Sequence, residues 1–366
     1  MPVFGTRRPQ RRFAANKPQI SCRFDSLARP SHSHANPQNV MPDNAATSRV
    51  SVAVIIVNWN AGELLVRCLS AVSRQTVQPK QIFVVDNASS DGSCDAVASH
   101  FPDVTLIRLD QNTGFAAANN LAVQRADGCE WVALLNPDAF PESTWLEELL
   151  TAAKNRPEYT FFGSRMLMAD APDRLDGVGD VYHVSGLVWR EGHGAPAAGN
   201  YLVEREIFSP CAAAALYRRD AFLDAGGFDE NYFCYVEDVD LGFRLRLLGH
   251  RCLYVPQAIV AHKGAAITGK HSDFSVYHGH RNLTWTYIKN MPSPWIWVFL
   301  PIHLAAGLAT IVWFALTGAA KTIFRAKLDA IKGLPEVLKK RRVIQASRIH
   351  GSGLLISILR FGVSRR

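Results

Sequence analysis

Polar side chains that could bind a ligand follow four successive strand-like stretches of this sequence. These side chains are Asn58, Asn60, Asp86, Asn87, Asn112, Asn136 and Asp138, and one glycine, Gly114, lies among them. A single Asp or Asn at a strand end is most commonly a turn former or a helix cap. In open α/β sheets, however, ligands bind beyond the carboxyl ends of the strands. Four consecutive strands that end in this way predict one ligand-binding crevice.

One of these carboxylates stands beside a proline, in "WVALLNPDAF" (131–140). Because proline lacks the N–H that a central strand needs, the strand ends before Pro137 and Asp138 lies beyond the sheet edge. A carboxylate there could bind a divalent cation, although it cannot hold the ion alone. His262, which follows "RCLYVPQAIVA", could complete such a site. A lone histidine is more commonly structural or exposed, so both interpretations stay open.

A second acidic group lies in "VEDVDLGFRLR" (236–246). Glu237, Asp238 and Asp240 fall at the predicted start of a helix, where the helix dipole favours negative charge. Asp240 and Arg244 are four residues apart and are expected to form an ion pair. Helix-end electrostatics could account for the whole group. Alternatively, Asp238 could act as a general base that removes a proton from an attacking hydroxyl group.

The elements that must position these side chains alternate between strand and helix from residue 51 to residue 154. Apolar runs such as "VAVIIV" are typical of parallel strands that are covered on both faces. Each run is followed by a segment with helical apolar spacing, as in "GELLVRCLSAVSRQ" (62–75). This order predicts an α/β fold with a mostly parallel sheet. Residues 157–210 are rich in Gly and polar residues and are expected to be less regular.

The charge of the chain is concentrated at its two ends. The formal net charge is +8 over 366 residues, but residues 1–40 hold seven Lys/Arg against one acid, and residues 321–366 hold twelve against two. The central body is therefore acidic, which argues against nucleic acid as a partner. Basic ends favour contact with anionic lipid. Residues 1–49 have the composition of a disordered extension, and Met41 is an alternative start to Met1.

Taken together, "VIIVNWN", "VVDNASSDGS", "NTGFAAANN", "LLNPDAF" and "YVEDVDLGFRLRLLG" resemble the inverting family 2 glycosyltransferases with the GT-A fold. Within that family they are most similar to the rhamnosyltransferase-like subgroup, which builds bacterial O-antigen and cell-wall glycans. The resemblance covers residues 51–290. It implies a GT-A (Rossmann-like), mostly parallel sheet flanked by helices, in a domain of residues 50–290. Residues 291–366 would form a C-terminal, membrane-associated helical region.

The resemblance also implies roles for individual residues. It places Asn58, Asp86 and Asn112 in the nucleotide pocket, assigns Asp138 and His262 to a Mg²⁺ or Mn²⁺ ion, and makes Asp238 the catalytic base. We add four neighbouring side chains and one glycine to the predicted nucleotide-sugar site: Asn60, Asn87, Gly114, Asn136 and Glu237. Asn136 stands where the family has the first Asp of its D-x-D motif, which removes one carboxylate from the expected metal site.

The segment 295–320 has no formal charge and is long enough to cross a bilayer. A single span would place the catalytic body and the basic tail on opposite sides of the membrane, although both are expected in the cytoplasm. This conflict favours a re-entrant or in-plane helical hairpin over a single span. Burial of the segment in a dimer or a domain core is a further alternative.

The predicted function is inverting transfer of a sugar, with rhamnose as the candidate, from a dTDP- or UDP-sugar to a glycan or polyprenyl-linked acceptor. The predicted location is the cytoplasmic face of a bacterial inner membrane. Candidate acceptor-pocket residues are Asp176, His183, Trp189 and His193. Two alternatives are a catalytically silent membrane scaffold with the same fold and a sugar-phosphate nucleotidyltransferase. The second would need a Gly-rich, basic N-terminal loop, which "NWNAGELL" lacks.

Overall fold

The structure is a computed structural model, and it describes residues 51–264, 272–349 and 353–362. The prediction of a disordered extension over 1–49 and the question of Met41 lie outside the described residues. In the described ranges the strands are β1 (Val52–Asn58), β2 (Gln81–Asp86), β3 (Thr105–Arg108), β4 (Trp131–Leu135), β5 (Ala139–Pro141), β6 (Phe161–Met168), β7 (Ala171–Gly177), β8 (Asp180–Tyr182), β9 (Val188–Arg190), β10 (Arg205–Ile207), β11 (Ala214–Arg218) and β12 (Cys252–His262). The α-helices there are α1 (Glu63–Ser73), α2 (Ser93–His100), α3 (Gly114–Arg125), α4 (Trp145–Asn155), α5 (Arg219–Asp224), α6 (Glu237–Leu247), α7 (Asp273–Asn290), α8 (Trp295–Leu316), α9 (Ala320–Lys332), α10 (Leu334–Ser347) and α11 (Gly353–Ile358).

The predicted α/β sheet is confirmed. Strands β3, β2, β1 and β4 lie side by side in that order and pair in parallel. The register pairs Asn58 at the end of β1 with Asp86 at the end of β2, so the polar strand ends share one edge. Helices α1 and α4 cover one face of the sheet with apolar side chains, and α3, α5 and α6 cover the other.

The segment predicted to be irregular contributes strands to the sheet. β6 lies between β12 and β11, and β11 runs antiparallel between β6 and β4. Gly163 weakens the strand pattern of β6, yet it lies where two segments pack closely together. A Cβ atom there would lie 3.0 Å from Ile207 Cδ1 and 3.2 Å from Pro210 Cβ. The glycine marks a close approach of two segments rather than a loop.

The C-terminal segment forms a helical hairpin. α8 is a continuous 22-residue helix that contains Pro301, and α9 follows it after a short turn. Among the described residues, α8 is the one helix that is long and apolar enough to cross a membrane. α9 and α10 both pack on α7, which in turn contacts α6. The C-terminal helices are therefore connected to α6, whose first turn contains the predicted base, Asp238.

Candidate active site

A cavity of about 690 Å³ opens at the carboxyl ends of the parallel strands. The predicted site residues that line it are Asn87, Asn112, Gly114, Asn136, Asp138, Glu237, Asp238 and His262. They come from three loops, the first turns of α3 and α6 and the end of β12, which are far apart in sequence. Convergence of carboxylate, amide and imidazole groups on one cavity is the usual arrangement of a ligand-binding or catalytic site.

The other three predicted residues order a loop beside the cavity instead of lining it. Asn58 Nδ2 donates hydrogen bonds to Ser93 Oγ at 2.8 Å and to Ser89 Oγ at 3.0 Å. Asp86 Oδ1 accepts from the Ser89 backbone N–H at 3.0 Å, and Asn60 Oδ1 accepts from the Ser90 N–H at 2.8 Å. Their role in binding a nucleotide stays a prediction, and these contacts show how they shape the loop after β2.

His262 lies between two carboxylates. β5 pairs antiparallel with the end of β12, which brings Asp138 next to His262. His262 Nε2 lies 3.4 Å from Asp138 Oδ1, and His262 Nδ1 lies 2.9 Å from Asp176 Oδ2. All three side chains are almost completely buried. Asp176, which we had expected in the acceptor pocket, therefore orients the histidine.

This arrangement fits a divalent cation. An Nδ1–H that donates to Asp176 leaves the Nε2 lone pair directed towards Asp138, as in carboxylate–histidine–metal triads. Nε2 has no hydrogen-bond partner within the described part of the chain. No group of three or more His, Cys, Asp or Glu side chains that could hold a metal ion occurs among the described residues. The protein would supply two ligands, and substrate phosphate would supply others.

Without a cation, His262 favours its protonated form. Burial lowers the pKa of the imidazole, but the neighbouring carboxylates of Asp138 and Asp176 outweigh it and raise the pKa to about 9. Burial raises the pKa of Asp176, whereas His262 and Arg190 lower it to about 2. A proton and a cation would therefore compete for the same Nε2 atom.

Asp238 lies in the first turn of α6 and faces the cavity. Its carboxylate accepts hydrogen bonds from the backbone N–H groups of Ala212 at 3.1 Å and Val239 at 2.8 Å. Burial raises the pKa of Asp238, while these N–H groups and the Arg190 guanidinium oppose the increase. A carboxyl group with a raised pKa is a stronger base once it has lost its proton. The predicted pair of Asp240 with Arg244 is confirmed, at 2.9 Å.

The loop before Asp238 has an unusual backbone that α7 holds in place. Phe233, Tyr235 and Val236 all have positive φ, between 66° and 71°. This conformation is unfavourable for residues other than glycine, above all for a β-branched one. Asn282, fully buried on α7, directs its Nδ2 group at the carbonyl oxygens of Tyr232, Cys234 and Tyr235, at distances of 2.8 to 3.1 Å. No local sequence signal indicated this role.

Arg190 is a second site residue that we did not predict. Its guanidinium group lines the cavity, donates to Asp176 Oδ2 at 3.0 Å and lies 3.6 Å from Asp180 Oδ1. Burial raises the pKa of Asp180 to about 7, against the effect of Arg190. The hairpin of β8 and β9 pairs Asp180 directly with Arg190. Alternating residues around the Ser185–Gly186 turn could have indicated this pair.

The remaining acceptor-pocket candidates lie outside the cavity lining. His183 Nδ1 contacts Ser185 Oγ at 2.8 Å, and its ring lies 5.9 Å from that of Trp189. His193 Nδ1 contacts the backbone oxygen of Asp176 at 2.8 Å. Their predicted role in acceptor binding is not tested by these contacts.

Comparison with known proteins identifies the domain. Residues 53–225 match the model of the family described as glycosyl transferase family 2. The chain contains a family 2 glycosyltransferase domain. The glycosyltransferase is 29% identical, over 76% of its length and 97% of the relative's, to N-acetylglucosaminyl-diphospho-decaprenol L-rhamnosyltransferase of Mycobacterium tuberculosis. It is 24% identical to the O-antigen chain rhamnosyltransferase RfbN of Salmonella typhimurium, over 58% of this chain and 69% of that one.

Solved structures show the same fold. A structure of GalNAc-T7 with UDP, GalNAc and Mn²⁺ superposes on the glycosyltransferase with a TM-score of 0.54 at 15% identity, covering 66% of this chain and 48% of that one. The predicted resemblance, fold class and enzyme class are therefore confirmed. Asn136, the departure from the D-x-D motif, lines the cavity beside Asp138 with its Oδ1 atom unpaired among the described residues.

Proposed function

We propose that the glycosyltransferase moves a sugar, with rhamnose as the candidate, from a nucleoside-diphosphate donor to a lipid-linked glycan acceptor with inversion at the anomeric carbon. One observation carries the proposal. The Asp138–His262 pair, which fits a divalent cation, and the half-buried carboxylate of Asp238 face the same cavity. The names of the two rhamnosyltransferase relatives support the choice of sugar, and the decaprenol relative supports a polyprenyl-linked acceptor.

One residue of the chain, Asp238, accounts for removal of the proton from the attacking hydroxyl group. Asp238 accepts the proton of an acceptor hydroxyl group, whose oxygen attacks C1 of the donor sugar. The bond from C1 to the diphosphate oxygen breaks as the new C1–O bond forms, and the diphosphate leaves with the electron pair. One displacement inverts C1, so no covalent enzyme intermediate is required.

The diphosphate would lie near Asp138 and His262. A bound Mg²⁺ or Mn²⁺ would neutralise the charge that develops on the leaving group. The Mn²⁺ in the GalNAc-T7 structure supports a divalent cation in general. Asn87 and Asn112 then belong to the donor half of the cavity. Gly114 is needed there because a Cβ atom would lie 2.6 Å from the Phe233 carbonyl oxygen and its φ is +87°. The donor base, dTDP or UDP, is part of the proposal.

The location of the enzyme follows from its substrates. Nucleotide sugars are cytoplasmic, so we place the transferase domain, residues 50–290, on the cytoplasmic face of a bacterial inner membrane. Residues 291–366 would form its membrane-associated region. The apolar helix α8 and the lipid-linked substrate of the mycobacterial relative support association with a membrane.

The test is release of nucleotide by the detergent-purified protein. A panel of dTDP-, UDP- and GDP-sugars is offered with a lipid-linked acceptor and with Mn²⁺, Mg²⁺ or EDTA. We expect metal-dependent release from one donor, lost in Asp138→Ala and in Asp238→Asn and retained in the exposed control Asp103→Asn. A folded protein that releases nothing from any donor would overturn the proposal in favour of a non-catalytic scaffold.

A further inference from the structure

Helix α8 contacts α7 at two places along its length. The rings of Tyr287 on α7 and His303 on α8 stack with centroids 3.8 Å apart. Further along, the ring centroids of His280 and Phe314 are 4.8 Å apart. The two contacts run in opposite directions along the two helices, so α8 runs antiparallel beside α7 and does not project away from it.

The returning helix α9 is also fixed to α7. Its side chains Ile323, Ala326 and Ala330 are buried. Trp285 Nε1 donates to the Ala330 carbonyl oxygen at 2.9 Å, and Thr322 Oγ1 donates to Asp273 Oδ1 at 2.6 Å. Both ends of α8 are therefore attached to one helix of the catalytic body. If α8 crossed a bilayer, α7 and α9 beside it would also lie at the depth of the hydrocarbon core, together with the charged side chains of Arg281, Lys289 and Lys327, which is costly.

The outward side of the hairpin is a continuous apolar surface. We call it the apolar face, and it consists of Trp297, Val298, Ile302, Leu304, Leu308, Val312, Trp313 and Leu316 on α8 with Phe324, Leu328 and Ile331 on α9. The residues recur at helical spacing, and Trp297 and Trp313 are 67% and 65% exposed. An apolar face of this extent, with a tryptophan near each end of α8, is typical of a membrane-binding surface.

Positive charge borders the apolar face. Residues 321–349 contain nine Lys or Arg and two acidic residues. The side chains of Arg325, Lys332 and Lys339 are all more than half exposed. An amphipathic helix with basic residues beside an apolar stripe lies in the interface of a bilayer that contains anionic lipid. This complementarity distinguishes a membrane from a second copy of the chain, whose matching surface would carry the same positive charge.

We propose that the apolar face binds in the plane of an anionic membrane, with α8 and α9 lying in the interface. The hairpin also adjoins the catalytic cavity, because Thr322 bonds to Asp273 and the next residue, Phe274, lines the cavity. A membrane-held acceptor would then enter the cavity from this side. This part rests on the proposed function, whereas the in-plane orientation does not.

Vesicle binding by the full-length protein tests the orientation. We compare flotation with phosphatidylcholine vesicles and with vesicles that also contain phosphatidylglycerol, at low and high salt. We expect stronger binding to the anionic vesicles that weakens with salt. The double variant Leu308→Glu/Trp313→Glu should bind at least about tenfold more weakly, because charged groups replace the inserted apolar contacts. The control Val203→Glu, at an exposed apolar position away from the hairpin, should bind like the wild type.

Protease accessibility separates an in-plane hairpin from a span. In inside-out vesicles from expressing cells, added protease should digest both the catalytic domain and a tag placed after Arg366. Protection of either one would overturn the proposal in favour of a span. If the double variant instead converts a dimer to a monomer and the wild type does not float, the apolar face is an interface between copies.

Nucleotide release keeps this proposal separate from the proposed function. Metal-dependent release onto a soluble acceptor analogue should be the same in the double variant and the wild type. An active enzyme that never binds vesicles overturns the membrane proposal alone. Vesicle binding without any transfer activity overturns the proposed function and leaves the in-plane orientation standing.

Discussion

The contact between Asp176 and His262 makes a quantitative prediction about metal binding. In the wild type, His262 Nδ1 lies 2.9 Å from Asp176 Oδ2. In the variant Asp176→Asn, the amide oxygen can still accept a hydrogen bond from Nδ1–H, but the side chain carries no charge. It no longer enforces the tautomer that leaves Nε2 free, and it makes the imidazole a weaker ligand. Loss of such an outer partner typically costs about 10- to 100-fold in metal affinity, or about 1.4–2.7 kcal/mol.

The pH dependence of metal affinity provides an independent check. In the wild type, the pKa of His262 is raised to about 9, so a cation must displace a proton at every lower pH. Apparent affinity should then rise about tenfold per pH unit between about pH 6 and pH 8. In Asp176→Asn, one of the two carboxylates that raise the pKa of His262 is gone, so this pKa falls. The increase of metal affinity with pH should therefore level off at a lower pH.

The assay is Mn²⁺ titration followed by electron paramagnetic resonance, in the presence of the nucleoside diphosphate. The control Asp173→Asn changes an exposed carboxylate on the same strand, β7, and should match the wild type. The reasoning is refuted if Asp176→Asn keeps both the affinity and the pH slope of the wild type while Asp138→Ala abolishes binding.

Three further predictions concern Arg190, Asn282 and Lys289. Arg190→Gln removes the cation that opposes the raised pKa of Asp238, so that pKa should increase further. The acidic limb of the pH–rate profile should then move about 1–3 pH units towards higher pH; an unchanged profile contradicts this. Asn282→Leu frees the carbonyl groups of the strained loop before the base and should lower kcat about tenfold or more while donor affinity, from titration calorimetry, stays constant; equal loss of both would indicate general unfolding. Lys289→Met leaves the buried Asp229 and Asp240 with fewer cations and should lower the free energy of unfolding by about 3–5 kcal/mol at neutral pH in urea titrations. Because Lys289 and Lys340 outweigh burial and lower the pKa of Asp229, the stabilisation exists above the unfolded-state pKa and disappears as pH falls through the folded-state value, so the gap between variant and wild type should narrow in acid.

The hairpin of α8 and α9 shows which features charge and hydropathy could predict from the sequence. The absence of charge in 295–320 and the basic tail together predicted an in-plane or re-entrant hairpin, because the catalytic body and the tail were both expected on the cytoplasmic side of the membrane. The structure has a hairpin, and its packing on α7 is the observation from which we proposed the in-plane orientation. No periodicity in α8 itself could have identified α7 as its partner, since that contact depends on a separate segment of the chain.

The amino-acid sequence by itself determined the alternating elements from β1 to α4. It also indicated that the carboxylates of Asp138 and Asp238 lie at a ligand-binding cavity, which both of them line. These signals are local, because apolar spacing and a proline act within a few residues of the chain. Only the tertiary structure decided that β6 enters the sheet and that Asp176, Arg190 and Asn282 support the site. Asp176 and His262 are 86 residues apart, and their contact exists only once the sheet has paired. A buried side chain takes its role from the groups that surround it, and long-range pairing of strands and helices determines those groups.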